Sequence, residues 1–393
     1  MKAQRLDIIT TLPQTIIETI LCLLPIEEAA RTSILSREWR YKWTTIPKLV
    51  FPHSMVFKRT IEEQQLEQTS DTTMARKNMD TTCKLFYAIY QVLLLRQGPI
   101  QEFNLTIRRH GTCFEIGQII LHLSRNHTVL RLTLDLNNLL LPLSLFSMQQ
   151  LTDLSLKSCA INRIPVFNGF GSLTSLSLEF VYISIECLKH LLRVCPSLKS
   201  LKLIITDDHI WGDKTFRIMD FFKCLPVVEH LTTTRYFSEY GVNVSVPEET
   251  STSLIHLKYF CSKEMRVVER SGWTFLFVLI QCSPNLERIK LEMNTEIDTA
   301  VDDCDEEFVM FEEYSNVWLE HLIELEVKDF KNCKTMMEFL KFILARSPNL
   351  KKVILLTWMN DKHEELEMST ILLSSPRASP VKIIVKNRCR AQP

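Results

Sequence analysis

One apolar template recurs along most of this chain and constrains the fold more than any other feature. "LTDLSLKSCAI", which starts at residue 151, places leucine at its first, fourth and sixth positions. Full or weaker copies begin at residues 100, 129, 151, 173, 198, 228, 254, 286, 322 and 350. Because side chains alternate along a strand, the fourth and sixth residues point to the same side. The recurrence therefore predicts a stack of short parallel strands.

Apolar residues spaced three or four apart lie between successive copies of the template. "CLKHLLRVCP", "WTFLFVLIQCSP" and "MMEFLKFILARSP" are examples, each ending in proline just before the next copy. This spacing indicates amphipathic helices, and the proline marks where each helix ends. The predicted fold class is α/β, an irregular leucine-rich-repeat solenoid of parallel strands with helical returns. An ordinary alternating α/β sheet is the alternative.

The first 47 residues follow a different pattern. Pro13 suits the first turn of a helix, Pro25 stops it, and a second helix is predicted from about Ile26 to Leu35. Ser36 suits the start of a third helix, in which Trp39 and Trp43 share a face, and we expect both to be core residues. Three short helices of this size rarely form a stable core alone. Their apolar surface therefore needs the neighbouring repeats or another protein to cover it.

Two segments carry a family resemblance. Residues 7–51, with Leu12-Pro13, Leu24-Pro25 and "RTSILSREWRYKW", resemble a plant-type F-box. Residues 317–355, followed by "SSPRASPVKIIV", resemble the FBD region of plant F-box proteins, although Asn332 and Cys333 stand where that family often has glycine. The chain is thus similar to the plant F-box/FBD/leucine-rich-repeat family. The expected domains are a three-helix F-box (6–51), a linker with the first solenoid helix (52–99), degenerate repeats (100–312) and an FBD region that continues the solenoid (313–393).

The resemblance implies a non-catalytic role. Members of this family bind a Skp-family adaptor through the F-box, and through it a cullin, as substrate receptors of ubiquitin ligases. Carried over by the motif, the adaptor-binding residues are Leu12, Pro13, Ile16, Ile20, Leu24, Pro25, Ala29, Ala30 and Ser33.

The strand positions between the template leucines are predicted to face the target protein. The charged residues predicted there as target contacts are Asp153, Lys157, Glu179, Lys202, Arg288, Lys290, Glu324 and Glu326, and Glu292 and Lys328 are further exposed strand positions. Their signs are mixed and no basic stripe forms, which disfavours nucleic acid. The acidic segment 294–316 is either a docking loop for a basic peptide or a solvated insertion, and the polar stretch 58–82 is predicted to be a connection.

Composition excludes several classes of function. Lysine plus arginine and aspartate plus glutamate both number 46, and only 8 residues are glycine. We therefore expect no nucleic-acid partner, no membrane span and no phosphate-binding loop. No metal site, cofactor or catalytic residue is expected, and the twelve cysteines lack CxxC spacing, as suits a reduced intracellular protein of the nucleus and/or cytoplasm. A small-molecule co-receptor and a non-ligase interaction scaffold remain the alternatives to the ligase receptor.

Overall fold

The computed structural model describes most of the chain. Its described residues are 12–52, 71–108, 113–206, 210–211, 218–234, 254–267, 270–294, 314, 316–357, 368, 370–372 and 374–387, with backbone alone at 71–81, 113, 210 and 211. The chain divides into two compact units, Met1–Pro196 and Ser197–Pro393. Each unit is a parallel sheet with helical connections, which confirms the predicted α/β class.

The first unit opens with an N-terminal module, residues 12–47. It contains α1 (Gln14–Leu21), α2 (Ile26–Arg31) and two 3₁₀ turns, Thr32–Ile34 and Lys42–Thr45. The predicted third α-helix is wrong, because Ile46 is extended before Pro47 (ψ 130°) and ends the segment after one turn. Trp39 and Trp43 are buried, which confirms them as core residues.

Among its described residues, six strands form the sheet of the first unit. They are β1 (Lys48–Phe51), β2 (Glu102–Thr106), β3 (Arg131–Leu140), β4 (Asp153–Ile161), β5 (Ser175–Glu179) and β6 (Tyr182–Ser184). The parallel order is β1-β2-β3-β4-β5, and β6 pairs with the end of β4. Strand β1 thus lies in the segment assigned to the F-box yet begins the sheet.

Helices connect these strands. They are α3 (Asp71–Leu95), α4 (Cys113–Asn126) and α5 (Ile185–Arg193), with a 3₁₀ turn at Leu143–Ser147. The prediction that residues 58–82 form a connection is wrong for 71–82, which belong to α3. Methionine, alanine, arginine and lysine between residues 74 and 77 are strong helix formers, and this outweighs the polar composition.

The second unit repeats the same scheme. Its strands are β7 (Ser200–Ile204), β8 (Ile210–Trp211), β9 (His230–Thr234), β10 (Tyr259–Met265), β11 (Arg288–Met293), β12 (Glu324–Phe330), β13 (Lys352–Thr357) and β14 (Lys382–Asn387). Its helices are α6 (Ile218–Phe222), α7 (Arg270–Cys282) and α8 (Lys334–Arg346). The parallel order is β7-β9-β10-β11-β12-β13-β14.

The core lies between the template leucines and the helices. Leu154 and Leu156 of β4 are buried, and aromatic side chains fill the corresponding layer of the second unit. Phe260 of β10 contacts Phe275 of α7 with ring centroids 6.1 Å apart, and Trp273 of α7 contacts Phe339 of α8 at 5.0 Å. We call the strand face opposite these buried residues the open face.

A left-handed residue follows the last open-face residue of several strands. Ser158, Phe180, Glu264 and Asp329 have φ between 47° and 58°. The ladders of β10 and β12 shift register at Glu264 and Asp329, as expected for a bulge. Since this conformation crowds Cβ, each such residue carries local strain.

Replacing Glu264 by asparagine should stabilise the fold, because asparagine tolerates the left-handed region and Glu264 is exposed. The expected gain in the free energy of unfolding is up to about 1 kcal/mol. Thermal unfolding of Glu264→Asn measures it. Glu320→Asn, at an exposed turn residue of ordinary φ, is the control. Equal shifts of Tm in the two variants would contradict the strain at Glu264.

Candidate partner-binding surfaces

Helix α1 has one buried and one exposed apolar side. Ile17 and Leu21 are buried, whereas Ile16 and Ile20 are 45% and 43% exposed. Ile16 and Ile20 are four residues apart and therefore share a face of the helix. Leu24, which follows the helix, is exposed as well. An apolar surface is therefore presented to solvent by this helix.

A second group of exposed apolar residues was not predicted from the sequence. Ile34 is 87% exposed, Leu35 is 66% exposed, and Leu23 and Tyr41 are exposed as well. If α2 extended to about Leu35, as predicted, part of the pair Ile34 and Leu35 would face inward. That extension is wrong, because the 3₁₀ turn at Thr32–Ile34 ends the helix earlier. Large aliphatic residues are seldom left exposed in neighbouring groups without a partner to cover them.

The remaining predicted adaptor contacts divide by burial. Pro13 and Pro25 are exposed, and Leu12, Ala30 and Ser33 are half-buried. Ala29 is fully buried, so its assignment as a contact residue is wrong. The assigned set mixed the two sides of α2 because the helix spans only six residues, Ile26–Arg31, too few for periodicity to separate its faces. The contacts of the other residues remain predictions.

Polar contacts hold α1 against the 3₁₀ turn Lys42–Thr45. Lys42 Nζ donates to Gln14 Oε1 at 2.7 Å, and Gln14 Nε2 donates to Thr45 Oγ1 at 3.1 Å. Thr45 Oγ1 in turn donates to Glu18 Oε1 at 2.6 Å. These bonds use only polar side chains of the helix, so they leave its exposed apolar side uncovered.

The end of α3 ties the N-terminal module to the sheet. Arg96 Nη1 donates to the Trp43 carbonyl at 3.4 Å, and the Gln97 amide donates to the Thr44 carbonyl at 3.1 Å. Burial lowers the pKa of Arg96 to about 10, against the opposing influence of Cys22 and Glu18. The module is thus fixed to the first repeat while its apolar residues stay exposed.

Charges on the open face of the first unit pair across neighbouring strands. Lys48 Nζ lies 2.9 Å from Glu102 Oε1, and Arg131 Nη2 lies 3.0 Å from Glu102 Oε2. Burial alone would raise the pKa of Glu102, but the hydrogen bonds and charges of these two cations hold it below its usual value. The structure also brings together two of the predicted target-binding residues, Lys157 and Glu179, at 3.8 Å.

Charges on the open face of the second unit also pair across neighbouring strands. Lys290 lies 3.6 Å from Glu326, and Lys328 donates to Glu292 at 2.8 Å. Lys263 approaches Glu292 to 4.0 Å. Burial favours a raised pKa for Glu292, but the hydrogen bond from Lys328 and the charges of the nearby lysines outweigh burial and lower it. Glu292 and Lys328 continue the alternation of β11 and β12, which predicts both as exposed positions of the target-binding face.

The other predicted open-face residues have individual surroundings. Asp153 accepts a hydrogen bond from Thr152 Oγ1 at 2.7 Å. Arg288 lies over the ring of Tyr259 at 6.0 Å, and Glu324 pairs with Lys352 at 3.4 Å. Lys202 is half-buried on β7. The predicted residues thus fall into two groups, one in each unit.

Three further points concern the acidic segment, membrane-spanning helices and metal-ligand groups. Of the acidic segment 294–316, the structure describes only Asn294, Tyr314 and Asn316. Among the described helices, none has the length and apolar character needed to cross a bilayer. Within the described ranges, histidine, cysteine, aspartate and glutamate form no group of three that could hold a metal ion.

Parallel strands with helical returns, an open face made mostly of polar side chains and an exposed apolar N-terminal module are the features that the described residues present. Family models match three segments: the F-box domain at residues 9–51, the LRR repeats of FBD-associated F-box protein At5g56370 at residues 125–212, and FBD at residues 318–355. These matches confirm the resemblance of this chain to plant F-box/FBD/leucine-rich-repeat proteins. None of the matching models describes a catalytic family.

Whole-chain relatives agree with this assignment. The chain is 29% identical to the F-box/FBD/LRR-repeat protein At1g13570 of Arabidopsis thaliana, over 95% of this chain and 97% of the relative. It is 25% identical to the FBD-associated F-box protein At5g56370 of the same plant, over 88% and 74% respectively. Among solved structures, a Listeria monocytogenes internalin superposes with a TM-score of 0.33 at 10% identity over 74% of this chain and 68% of its own, too low a score to assign a fold.

Adding a methyl group at Gly98 should loosen the junction between the N-terminal module and the repeats. A Cβ at this position would lie 2.8 Å from the Thr45 carbonyl oxygen. We expect Gly98→Ala to lower the free energy of unfolding by about 1–3 kcal/mol, because backbone must move. Chemical denaturation measures the loss. Gly171→Ala, where a Cβ would meet nothing within 4 Å, is the matched control and should change stability little.

The lowered pKa of Glu292 predicts a stability that depends on pH. The carboxylate contributes stability above its unfolded pKa, and this contribution is lost as pH falls through the lower folded pKa. Glu292→Gln should therefore cost about 1 kcal/mol at neutral pH, and the difference from wild type should shrink at an acidic pH below the unfolded pKa of glutamate. Unfolding at both pH values tests this. A constant difference, or an equal loss in the control Glu287→Gln, would contradict it.

Proposed function

We propose that the chain is the substrate-recognition subunit of a cullin-based, SCF-type ubiquitin ligase. In this role the F-box binds a Skp-family adaptor, which connects the chain to a cullin, and the repeats bind a target protein. The observation that carries the proposal is the set of exposed apolar residues on the N-terminal module. Ile16, Ile20 and Ile34 belong to it, with exposures from 43% to 87%.

The hydrogen-bonded junction between the N-terminal module and the first repeat supports this role. The bonds from Arg96 and Gln97 fix the module to the first repeat, so an adaptor bound to the module would hold a defined position relative to β1 and β2. A receptor of this kind forms no bond itself. It raises the effective concentration of a target lysine near the conjugating enzyme, which depends on a defined geometry.

The open face supports target binding. Most of its side chains are polar and partly exposed, whereas the alternate side chains are largely buried in the core. Because many of its charges are held in ion pairs, they are pre-oriented and lose little conformational freedom when a partner binds. We place the chain inside the cell, in the nucleus and/or cytoplasm, where free thiols such as the buried Cys195 and Cys261 persist.

The double variant Ile16→Asp, Ile20→Asp tests adaptor binding. Both side chains are exposed in the free chain, so the variant should fold. Burying two unpaired carboxylates at the interface should weaken binding of a purified Skp-family adaptor by at least about 30-fold. Calorimetry with the full chain measures the affinity.

Val166→Asp is the matched control, because Val166 is a fully exposed aliphatic residue of the first unit outside the module. It should bind the adaptor as the wild type does. If the double variant retains the wild-type affinity, the adaptor does not contact this side of α1 and the proposal fails. Circular dichroism of each variant confirms that the comparison is between folded chains.

A further inference from the structure

Strand β14 ends the ladder of the second unit. It pairs with β13 along six residues, from Lys352 with Lys382 to Thr357 with Asn387. Within the described part of the chain, no strand pairs with the other edge of β14. Backbone N–H and C=O groups on such an edge are available to an added strand.

The open face of β14 carries two cations around an apolar residue. Lys382 and Lys386 are exposed and flank Ile384, which is half-buried. In register on β13 lie Ile354 beside Ile384 and Leu356 beside Lys386. Neither Lys382 nor Lys386 has an ion-pair partner among the described residues, whereas Lys290 and Lys328 of the preceding strands are paired.

The opposite face of β14 is apolar and incompletely covered. Ile383 and Val385 are half-buried, whereas their register partners on β13, Val353 and Leu355, are fully buried. Along the strand, β14 therefore presents the order cationic, apolar, apolar, apolar, cationic. An added strand would place each of its side chains next to one of these five.

We propose that the free edge of β14 binds an extended peptide segment of a protein partner by strand addition. The complementary segment has the order acidic, apolar, apolar, apolar, acidic. Its acidic residues lie beside Lys382 and Lys386, and its central residue lies beside Ile384. The order is the same read in either direction, so it holds for parallel and antiparallel addition.

The charges of β14 favour this partner over a second copy of the chain. Antiparallel pairing of two β14 strands about Ile384 would oppose Lys382 and Lys386 across the edge, and parallel pairing in register would oppose each lysine with itself. Edge lysines exclude neutral and basic strands but attract acidic ones. For the targets of a ligase, this inference rests on the proposed function. The segments that β14 recognises in those targets are then acidic-apolar ones.

Binding of two labelled peptides to the full chain tests the site. The probe is fluorescein-labelled Gly-Glu-Val-Ile-Val-Glu-Gly, and its counterpart carries lysine in place of both glutamates. Fluorescence anisotropy should show binding of the glutamate peptide and at least ~10-fold weaker binding of the lysine peptide. The charge-reversed chain Lys382→Glu, Lys386→Glu should reverse this preference. The exposed pair Lys223→Glu, Lys258→Glu is the matched control and should not.

Several outcomes would overturn the inference. These are no binding of the glutamate peptide, an unchanged preference in the charge-reversed chain, or an equal effect of the control pair. Concentration-dependent dimerisation that competes with the peptide would identify a second copy as the occupant instead. If the reversed chain fails to fold, Lys382→Gln, Lys386→Gln should abolish the preference without reversing it. The peptide assay contains no adaptor, so a negative result would not count against adaptor binding. Loss of adaptor binding would equally not count against the β14 site.

Discussion

Burial of the template leucines is the constraint on which the rest of the structure depends. In each unit, the fourth and sixth template residues, such as Leu154 and Leu156 or Ile289 and Leu291, are removed from water. A single strand cannot bury them, so neighbouring repeats must stack in register and helices must cover the same side. Once this side is filled, alternation leaves the intervening residues on the open face.

The open face follows from this constraint but has its own electrostatics. Charges such as Lys290 and Glu326 face each other because parallel register places equivalent repeat positions side by side. Such pairs, which stay partly exposed to water, contribute modestly to stability and more to the orientation of side chains. Strand β14 departs from this arrangement. The described strands after β12 carry no acidic residue, so Lys382 and Lys386 have no counter-charge among the described residues.

The N-terminal module differs from the repeats, because it leaves some of its apolar residues exposed. It is too small to bury all its apolar residues, and it places Trp39, Trp43 and Ile46 inward while Ile34 and Leu35 remain outside. Its last residues lead directly into β1, so its core is continuous with the first repeat. The molecule therefore combines a stack that hides its apolar residues with a module that displays some of them.

Much of this was predictable from sequence, because the signals are periodic. The strands at the template copies, the helical returns before each proline and the buried tryptophans all follow from spacing, whereas Ile16 and Ile20 were named through the family resemblance. Short segments, whose patterns span only a few residues, predicted the structure less well. The polar composition of residues 71–82 predicts a connection, but their helix propensity outweighs it and they belong to α3. Ala29 was assigned to an interface because a six-residue helix has too few turns to define its sides.

By itself, the sequence determined the repeat, the α/β class and the family resemblance, because each depends on which residues recur and at what interval. Only the tertiary structure decided which charges meet, that β1 joins the module to the sheet, and that Ile34 and Leu35 stay exposed. The edge of β14 also became visible only in the folded chain. These features depend on register and on the ends of elements, where contacts between distant residues outweigh local preference.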